Sequence, residues 1–233
     1  MRINKAFTLA EVLVTLSIIG VVAAMTIPPL ITKYNKMVWV NQLKKSVSTL
    51  ENGYKMILVS NGVDDLGDTD LFRLDSDYWT GYIDRYKKYF KIISGERLSP
   101  NRTDSYKNLD GVAYTWQVEF KFKFADGSTV YTAAMGRGGV SDCDAIKQQG
   151  GNLCYWIGSD IIIDVNSEKG PNQWGRDVFA FILSQDGHLY PFGGKDYGIA
   201  LGGYWRNPGM KVPYSPGMEC AGRVIEEGWK MNY

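Results

Sequence analysis

The sequence feature that most constrains this chain is the apolar segment from Phe7 to Ile31, in which Glu11 is the one charged residue. An α-helix rises about 1.5 Å per residue, so a helix of this length crosses a hydrocarbon core of about 30 Å. A cleaved secretory signal has a shorter apolar core and a small-residue cleavage site. Here the run instead ends in Pro28 and Pro29 and leads into another helical pattern. The segment therefore predicts a membrane-spanning helix.

Two basic residues, Arg2 and Lys5, precede the apolar segment. The positive-inside rule therefore predicts a cytoplasmic N-terminus and an extracytoplasmic location for everything after Ile31. A lone carboxylate within an apolar helix is costly and usually has a functional partner. We therefore expect Glu11 either to have such a partner or to lie close enough to the end of the helix to reach the membrane interface.

The residues around Glu11 resemble the signal of type IV pilins and of the pseudopilins of type II secretion systems. A basic leader, MRINKA, precedes the sequence FTLAEVLVTLSIIGVVAAMTIP. The resemblance implies that a prepilin peptidase cleaves between Ala6 and Phe7 and then methylates the new N-terminus. The family usually has glycine before the cleavage site, where this chain has Ala6. The resemblance also implies that Pro28 weakens the helix near the end of the apolar run.

The implied cleavage gives a physical role to the carboxylate of Glu11. Cleavage creates a positive amine on Phe7, which Glu11 of the same subunit or of a neighbouring subunit can neutralise when helices pack in a filament. Such a pair matters far more in lipid or in a dry filament core than in water. Glu11 is therefore interpreted as an assembly residue.

Beyond the two prolines, the sequence changes to an amphipathic pattern. Successive apolar positions lie four or three residues apart, which predicts one buried face of a helix that continues to about Val59. These positions are Leu43, Val47, Leu50, Tyr54 and Ile57. On another face, Glu51 and Lys55 have the spacing of a favourable i, i+4 ion pair. We expect this half of the helix to pack on a globular head.

The rest of the chain predicts an α+β head with an antiparallel sheet, which is the pilin fold. Residues 62–111 form a long connection, in which DYWTGYIDRYKKYFKII predicts one or two short helices. Apolar residues alternate from Tyr114 to Phe124, which predicts one half-buried strand before a hairpin turn at Asp126-Gly127. Further strands are predicted in YWIGSDIIIDVN and DVFAFILSQDGHLYPFG, and a short helix or tail at the C-terminus.

These patterns divide the chain into four predicted parts. Residues 1–6 form the leader, and residues 7–31 form the transmembrane or filament-core helix. Residues 32–60 form the amphipathic helix, and residues 61–233 form the extracytoplasmic head.

One loop of the head has the composition of a calcium site. The segment DVNSEKGPNQWGRD places Asp164, Asn166, Glu168, Asn172 and Asp177 between two predicted strands. Ca²⁺ takes six to eight oxygen ligands in flexible geometry, although the spacing here is not that of an EF-hand. Major pseudopilins hold calcium in a comparable loop, so the resemblance supports a site formed by Asp164, Asn166 and Asp177. The alternative is that these residues cap turns.

The chain has three cysteines, of which Cys143 and Cys154 lie close together in a Gly-rich stretch. An exported domain permits disulfides, so we predict a bridge between these two and a free thiol at Cys220. Pairing of Cys220 with either partner, or three reduced thiols, are the alternatives. No Cys/His pattern indicates zinc.

Charge and composition limit the possible functions. The formal net charge is +1, which gives no overall case for nucleic-acid binding. The single histidine, His188, follows a turn without an accompanying nucleophile motif, so no enzyme is predicted.

Two hypotheses remain for the function. The first is a structural subunit of a type IV pilus-like or type II secretion filament, with copies of itself, related pilins or pseudopilins, prepilin peptidase and an inner-membrane assembly platform as partners. The second is a membrane-anchored module that binds glycan or DNA and uses the signal only for display. Glu11 distinguishes them, because only the filament requires it for assembly.

Overall fold

The structure is a computed structural model, which describes residues 8–72, 78–132, 137–139, 155–194 and 217–233. The helices are α1 (Leu9–Asn61), α2 (Tyr78–Tyr89) and α3 (Cys220–Glu226). The strands are β1 (Ile92–Arg97), β2 (Tyr106–Lys107), β3 (Ala113–Tyr114), β4 (Phe120–Phe124), β5 (Thr129–Thr132), β6 (Arg137–Gly139), β7 (Tyr155–Asp164), β8 (Val178–Ser184) and β9 (Leu189–Pro191). The predicted leader, the cleavage position and two of the cysteines, Cys143 and Cys154, lie outside the described residues.

The chain divides into two units, residues 1–38 and Trp39–Tyr233, and the division falls within α1. In the first unit the described part of α1 exposes most of its apolar side chains, and the helix is long and apolar enough to cross a membrane. Pro28 and Pro29 lie inside α1. Proline has no N–H, so each of them removes one helical hydrogen bond. The helix nevertheless continues, and Thr32 Oγ1 donates a 3.0 Å hydrogen bond to the Pro28 carbonyl.

The second unit contains an antiparallel sheet with the strand order β1-β4-β5-β7-β8-β9, and β6 also pairs with β7. Strands β2 and β3 form a separate pair. The turns predicted from sequence join β4 to β5 and β8 to β9, with Gly127 and Gly187 at positive φ. A long N-terminal helix followed by an antiparallel sheet is a pilin-like α+β arrangement, as the sequence predicts.

The first core of the head lies between α1, α2 and the sheet. All five apolar helix positions predicted from the spacing are buried: Leu43, Val47, Leu50, Tyr54 and Ile57. They belong to the same cluster as Phe120, Phe122 and Phe124 of β4. From α2, Tyr86 stacks on Phe122 with ring centroids 4.4 Å apart. Tyr82 and Tyr86 of the connecting helix are therefore core residues.

A second core covers the opposite face of the central strands. Along β8, side chains alternate between the two clusters; Phe179 and Phe181 belong to the first, and Ala180 and Ile182 belong to the second. The same alternation holds from Ile161 to Ile163 of β7. Trp174 and Met218 complete this second cluster. Because successive residues of a strand point to opposite faces and both faces of β8 are buried, its sequence is apolar without interruption from Val178 to Leu183.

Two local predictions are wrong. The alternation from Tyr114 to Phe124 is not one strand, because β3 ends at Tyr114 and β4 begins at Phe120. Between them, Val118 is buried in the second core, with Trp116 packed against it. The sequence predicts that KII is helical, but the helix ends at Tyr89 and β1 begins at Ile92 and pairs with β4. Alternation and helical spacing depend only on neighbouring residues. They do not show which distant segment packs on a given residue.

Candidate functional site

The start of α1 contains a reciprocal pair of hydrogen bonds between Thr8 and Glu11. The backbone N–H and the hydroxyl of Thr8 each donate to Glu11 Oε2 at 2.8 Å. In return, the backbone N–H of Glu11 donates to Thr8 Oγ1 at 3.3 Å. Since α1 begins at Leu9, Thr8 is the N-cap and Glu11 is the third helical residue, which is a capping box. The Thr-x-x-Glu spacing of this motif is present in the sequence, although the predictions above do not include it.

The capping box fixes where the carboxylate of Glu11 lies. It is held over the first turn of α1, where the N–H groups of the helix favour a negative charge. Thr8 directly follows Phe7 in the sequence, so cleavage after Ala6 would place a new amine one residue from the partner of Glu11. The carboxylate thus stabilises the start of the helix.

The predicted calcium residues Asp164 and Asp177 lie at the end of β7 and just before β8, and both side chains are buried. Asp164 Oδ1 accepts hydrogen bonds from the N–H groups of Asn166 at 3.2 Å and Ser167 at 2.8 Å. Asp177 accepts from the N–H groups of Asn172 at 2.8 Å and of the next residue at 2.7 Å. Each carboxylate therefore organises its own turn, as the alternative interpretation of the sequence requires.

The same loop also contains oxygens without partners. The Oδ1 atoms of Asn166 and Asn172 are buried and accept no hydrogen bond among the described residues. Burial raises the pKa of Asp164 to about 7, with a further contribution from the charge of Asp177. Burial also raises the pKa of Asp177. The loop thus combines two buried carboxylates with two unused amide oxygens, a set of hard donors that fits Ca²⁺.

The remaining acidic residue of the loop, Glu168, is exposed and forms an ion pair with Lys123 at 3.6 Å. Across the described part of the chain, no three His, Cys, Asp or Glu side chains gather in a metal-binding group. Any cation in this loop would therefore depend on the amide oxygens of Asn166 and Asn172.

A further ion pair joins α1 to the turn between β8 and β9. His188 Nδ1 lies 2.6 Å from Glu51 Oε1, and the N–H of Leu189 donates to the same oxygen at 3.1 Å. The sequence predicts Lys55 as the partner of Glu51; Lys55 is a nearby positive charge, but the hydrogen bonds come from the turn. Glu51 and His188 are far apart in sequence, so no local pattern could have paired them.

Cys220, the predicted free thiol, is a free cysteine at the start of α3. Burial raises the pKa of its thiol to about 11. The thiolate is the reactive form of cysteine, so this side chain is poorly suited to nucleophilic chemistry. The bridge between Cys143 and Cys154 stays a prediction, because both residues lie outside the described part of the chain.

Comparison with known proteins adds one finding at the N-terminus. Residues 1–27 match the family described as Prokaryotic N-terminal methylation motif, which is the type IV prepilin-like signal. No curated protein and no solved structure matches the chain. The fold and the apolar helix define a pilin-like protein with a fitting membrane anchor. The motif on that helix supports, more particularly, a type IV pilin-like protein that is processed and methylated at its N-terminus.

Proposed function

We propose that this chain is a non-catalytic structural subunit of a type IV pilus-like or type II secretion filament. The observation that carries the proposal is the methylation motif on residues 1–27, together with the exposed apolar surface of the helix that follows it. Exposed apolar side chains along a helix require either lipid or other helices around them. A filament subunit uses both environments in succession.

In this proposal the precursor is held in the inner membrane with its N-terminus in the cytoplasm and its head outside. Prepilin peptidase cleaves between Ala6 and Phe7 and methylates the new amine. An inner-membrane assembly platform then transfers the subunit to copies of itself or to related pilins or pseudopilins. The carboxylate of Glu11 neutralises the amine of Phe7 as the helices leave the lipid.

The experiment compares two substitutions that separate the charge of Glu11 from its role in the capping box. Glu11→Gln removes the charge but keeps an oxygen that can accept from Thr8, because glutamine also serves in capping boxes. Thr8→Val removes the capping hydroxyl and keeps the carboxylate. Membrane fractionation and the recovery of the subunit in sheared filaments are measured for both variants. We expect Glu11→Gln to insert into the membrane and to be lost from filaments, whereas Thr8→Val still assembles.

The display hypothesis predicts a different result for the same two variants. A binding module that uses the signal only as an anchor would not need the charge of Glu11. The filament proposal is contradicted if the Glu11→Gln protein enters filaments in wild-type amounts. It is also contradicted if the wild-type protein forms no filaments when the assembly system is present.

We also propose that the loop between β7 and β8 binds Ca²⁺, a proposal supported by the buried, unpartnered Oδ1 atoms of Asn166 and Asn172. Asp164 and Asp177 would supply the two charges, and the ion would tie the loop together and stabilise the head. The melting temperature of the full chain should rise with millimolar calcium relative to excess chelator. Asn172→Leu should remove most of that rise, and an unchanged wild-type melting temperature would exclude the site.

A further inference from the structure

The sheet face opposite α1 carries a polar cleft at the end formed by β1, β4 and β5. The cleft has a volume of about 470 Å³, which is within the usual range of small-molecule sites, about 300–1,000 Å³. On β4, the side chains that alternate with the core phenylalanines line it. Ser94, Glu96, Asp104, Lys121 and Lys123 line it, and the candidate calcium loop contributes Ser167 and Glu168.

One wall of the cleft is a fixed network around Lys121. Its Nζ atom lies 2.7 Å from Asp104 Oδ2 and 3.9 Å from Glu96 Oε1, and 5.7 Å from the centre of the Tyr131 ring. Tyr131 also donates a 2.6 Å hydrogen bond to the same oxygen of Asp104. An ammonium has three donors, and the closest contact uses one of them. Lys121 is therefore held in place by its neighbours and still has hydrogens to offer a ligand.

The other wall provides further donors and acceptors. Lys123 Nζ is 3.6 Å from Glu168 Oε1, which is too long for a strong hydrogen bond. At the base, the hydroxyls of Thr129 and Ser167 share one hydrogen bond of 2.8 Å. Two hydroxyls carry two protons, so one proton of this pair is left to donate elsewhere. The cleft thus presents both donors and acceptors of hydrogen bonds.

Charge and shape exclude several classes of ligand. Each lysine has a carboxylate partner, and the exposed carboxylates of Glu96 and Glu168 disfavour anions such as phosphate or nucleic acid. The rings of Tyr106 and Tyr131 are buried, so they present no open face for stacking or for an apolar ligand. Among uncharged ligands, the cleft fits one whose groups both donate and accept hydrogen bonds.

We propose that this cleft binds a neutral saccharide. A sugar hydroxyl donates one hydrogen bond and accepts others, so it can bond to an ammonium and to a carboxylate at the same time. The paired Lys121 and Asp104 present that combination, and Lys123 with Glu168 presents a second one. Because Lys121 is already fixed by its neighbours, binding costs less side-chain entropy. This property goes beyond the filament proposal and does not depend on it.

The test uses the full chain in a detergent without a sugar headgroup. Cellobiose, lactose and N,N′-diacetylchitobiose are titrated by calorimetry and by saturation-transfer NMR, with spermidine and inorganic phosphate as charged probes. We expect saturable binding of at least one disaccharide and none of either charged probe. Lys123→Gln should weaken the binding about tenfold, since it removes a charged hydrogen-bond donor. Ser94→Phe should abolish it by filling the cleft.

Two matched variants control for changes in the surface of the same region. Lys91→Gln and Ile93→Phe make the same kinds of change at residues that do not line the cleft, and both should bind as the wild type does. The proposal is wrong if none of the three disaccharides binds saturably, or if a charged probe binds in their place. It is equally wrong if Ser94→Phe binds the sugar as well as Ile93→Phe does.

Discussion

His188 Nδ1 and Glu51 Oε1 lie 2.6 Å apart, and this contact ties the turn between β8 and β9 to helix α1. It is reinforced at Gly187, where an added Cβ would lie 3.1 Å from the Cβ of Tyr54. The turn thus packs directly on the helix backbone, and Gly187 has a φ of +82°, which an L side chain rarely adopts. The ion pair thus adds a polar contact beside the close packing of the turn on α1.

The first prediction is a pH dependence of stability caused by this pair. The hydrogen bond to Glu51 raises the pKa of His188 above 6.5. Burial acts to raise the pKa of Glu51, but the bonds from His188 and Leu189 lower it below 4.5. The histidine contribution is fully present below pH 6.5 and is lost as pH rises through the higher folded pKa. The glutamate contribution is present above pH 4.5 and is lost as pH falls through the lower folded pKa.

The pair should therefore stabilise the head most between about pH 4.5 and 6.5. His188 is about half exposed, so solvent screens the pair and the expected loss above pH 8 is about 1 kcal/mol or less. The free energy of unfolding in urea is measured at pH 6 and pH 8.5 for wild type and for His188→Gln. The change between the two pH values should be larger in the wild type, and the difference between the proteins is the contribution of the pair. Equal pH dependence in both proteins would show that the pair contributes nothing.

The second prediction concerns Gly53, which lies where α1 meets Phe90. A Cβ added at Gly53 would lie 2.1 Å from Phe90 Cε1. Phe90 cannot move freely, because its ring stacks on Tyr86 with centroids 4.7 Å apart. Alanine favours a helix by up to about 1 kcal/mol over glycine, but overpacking costs about 1–3 kcal/mol. We therefore expect Gly53→Ala to lower the free energy of unfolding, as measured with urea.

The neighbouring Asn52 supplies the control for Gly53, because its side chain is exposed on the same helix. Asn52→Ala should leave stability unchanged or raise it slightly, since alanine favours the helix and the lost hydrogen bond to Ser48 Oγ is long, at 3.5 Å, and exposed. A Gly53→Ala protein as stable as Asn52→Ala would mean that the ring of Phe90 can move aside at little cost.

The sequence predicts those parts of the structure that are set by nearby residues. The buried face of α1, from Leu43 to Ile57, follows from a spacing that any amphipathic helix must have. The capping box of Thr8 and Glu11 was equally readable from four consecutive residues. By contrast, the pairing of β1 with β4 and the contact between Glu51 and His188 join segments that are distant in sequence. Only packing of the complete head brings such groups together.

The candidate calcium loop is a second case in which the sequence does not determine the contacts of its residues. Its residue types suggested a cation site or a set of turn caps, and sequence reasoning could not separate them. The structure shows that Asp164 and Asp177 do cap turns, and also that the Oδ1 atoms of Asn166 and Asn172 are buried without partners. Burial of an individual oxygen depends on the whole loop conformation, so it has no sequence signal.

The third prediction concerns the thiols. If Cys143 and Cys154 are bridged, the denatured protein should show one free thiol with a thiol-specific reagent, and reduction should raise this to three. In the native protein Cys220 should react slowly near pH 8, because burial raises the pKa of its thiol to about 11. Three free thiols in unreduced, denatured protein would exclude the bridge. Fast reaction of the native protein would contradict the burial of Cys220.

The last prediction concerns Ala6, which stands where pilin signals usually have glycine. Alanine is the smallest side chain after glycine, so a protease that accepts glycine before the cleavage site should tolerate it. Ala6→Gly should be cleaved at least as fast as the wild type, whereas the bulky Ala6→Leu should accumulate as precursor. Mass spectrometry of the N-terminal peptide measures this, and the mature wild-type chain should begin at a methylated Phe7. Cleavage at another position, or Ala6→Leu processed as fast as Ala6→Gly, would contradict the assignment of the site.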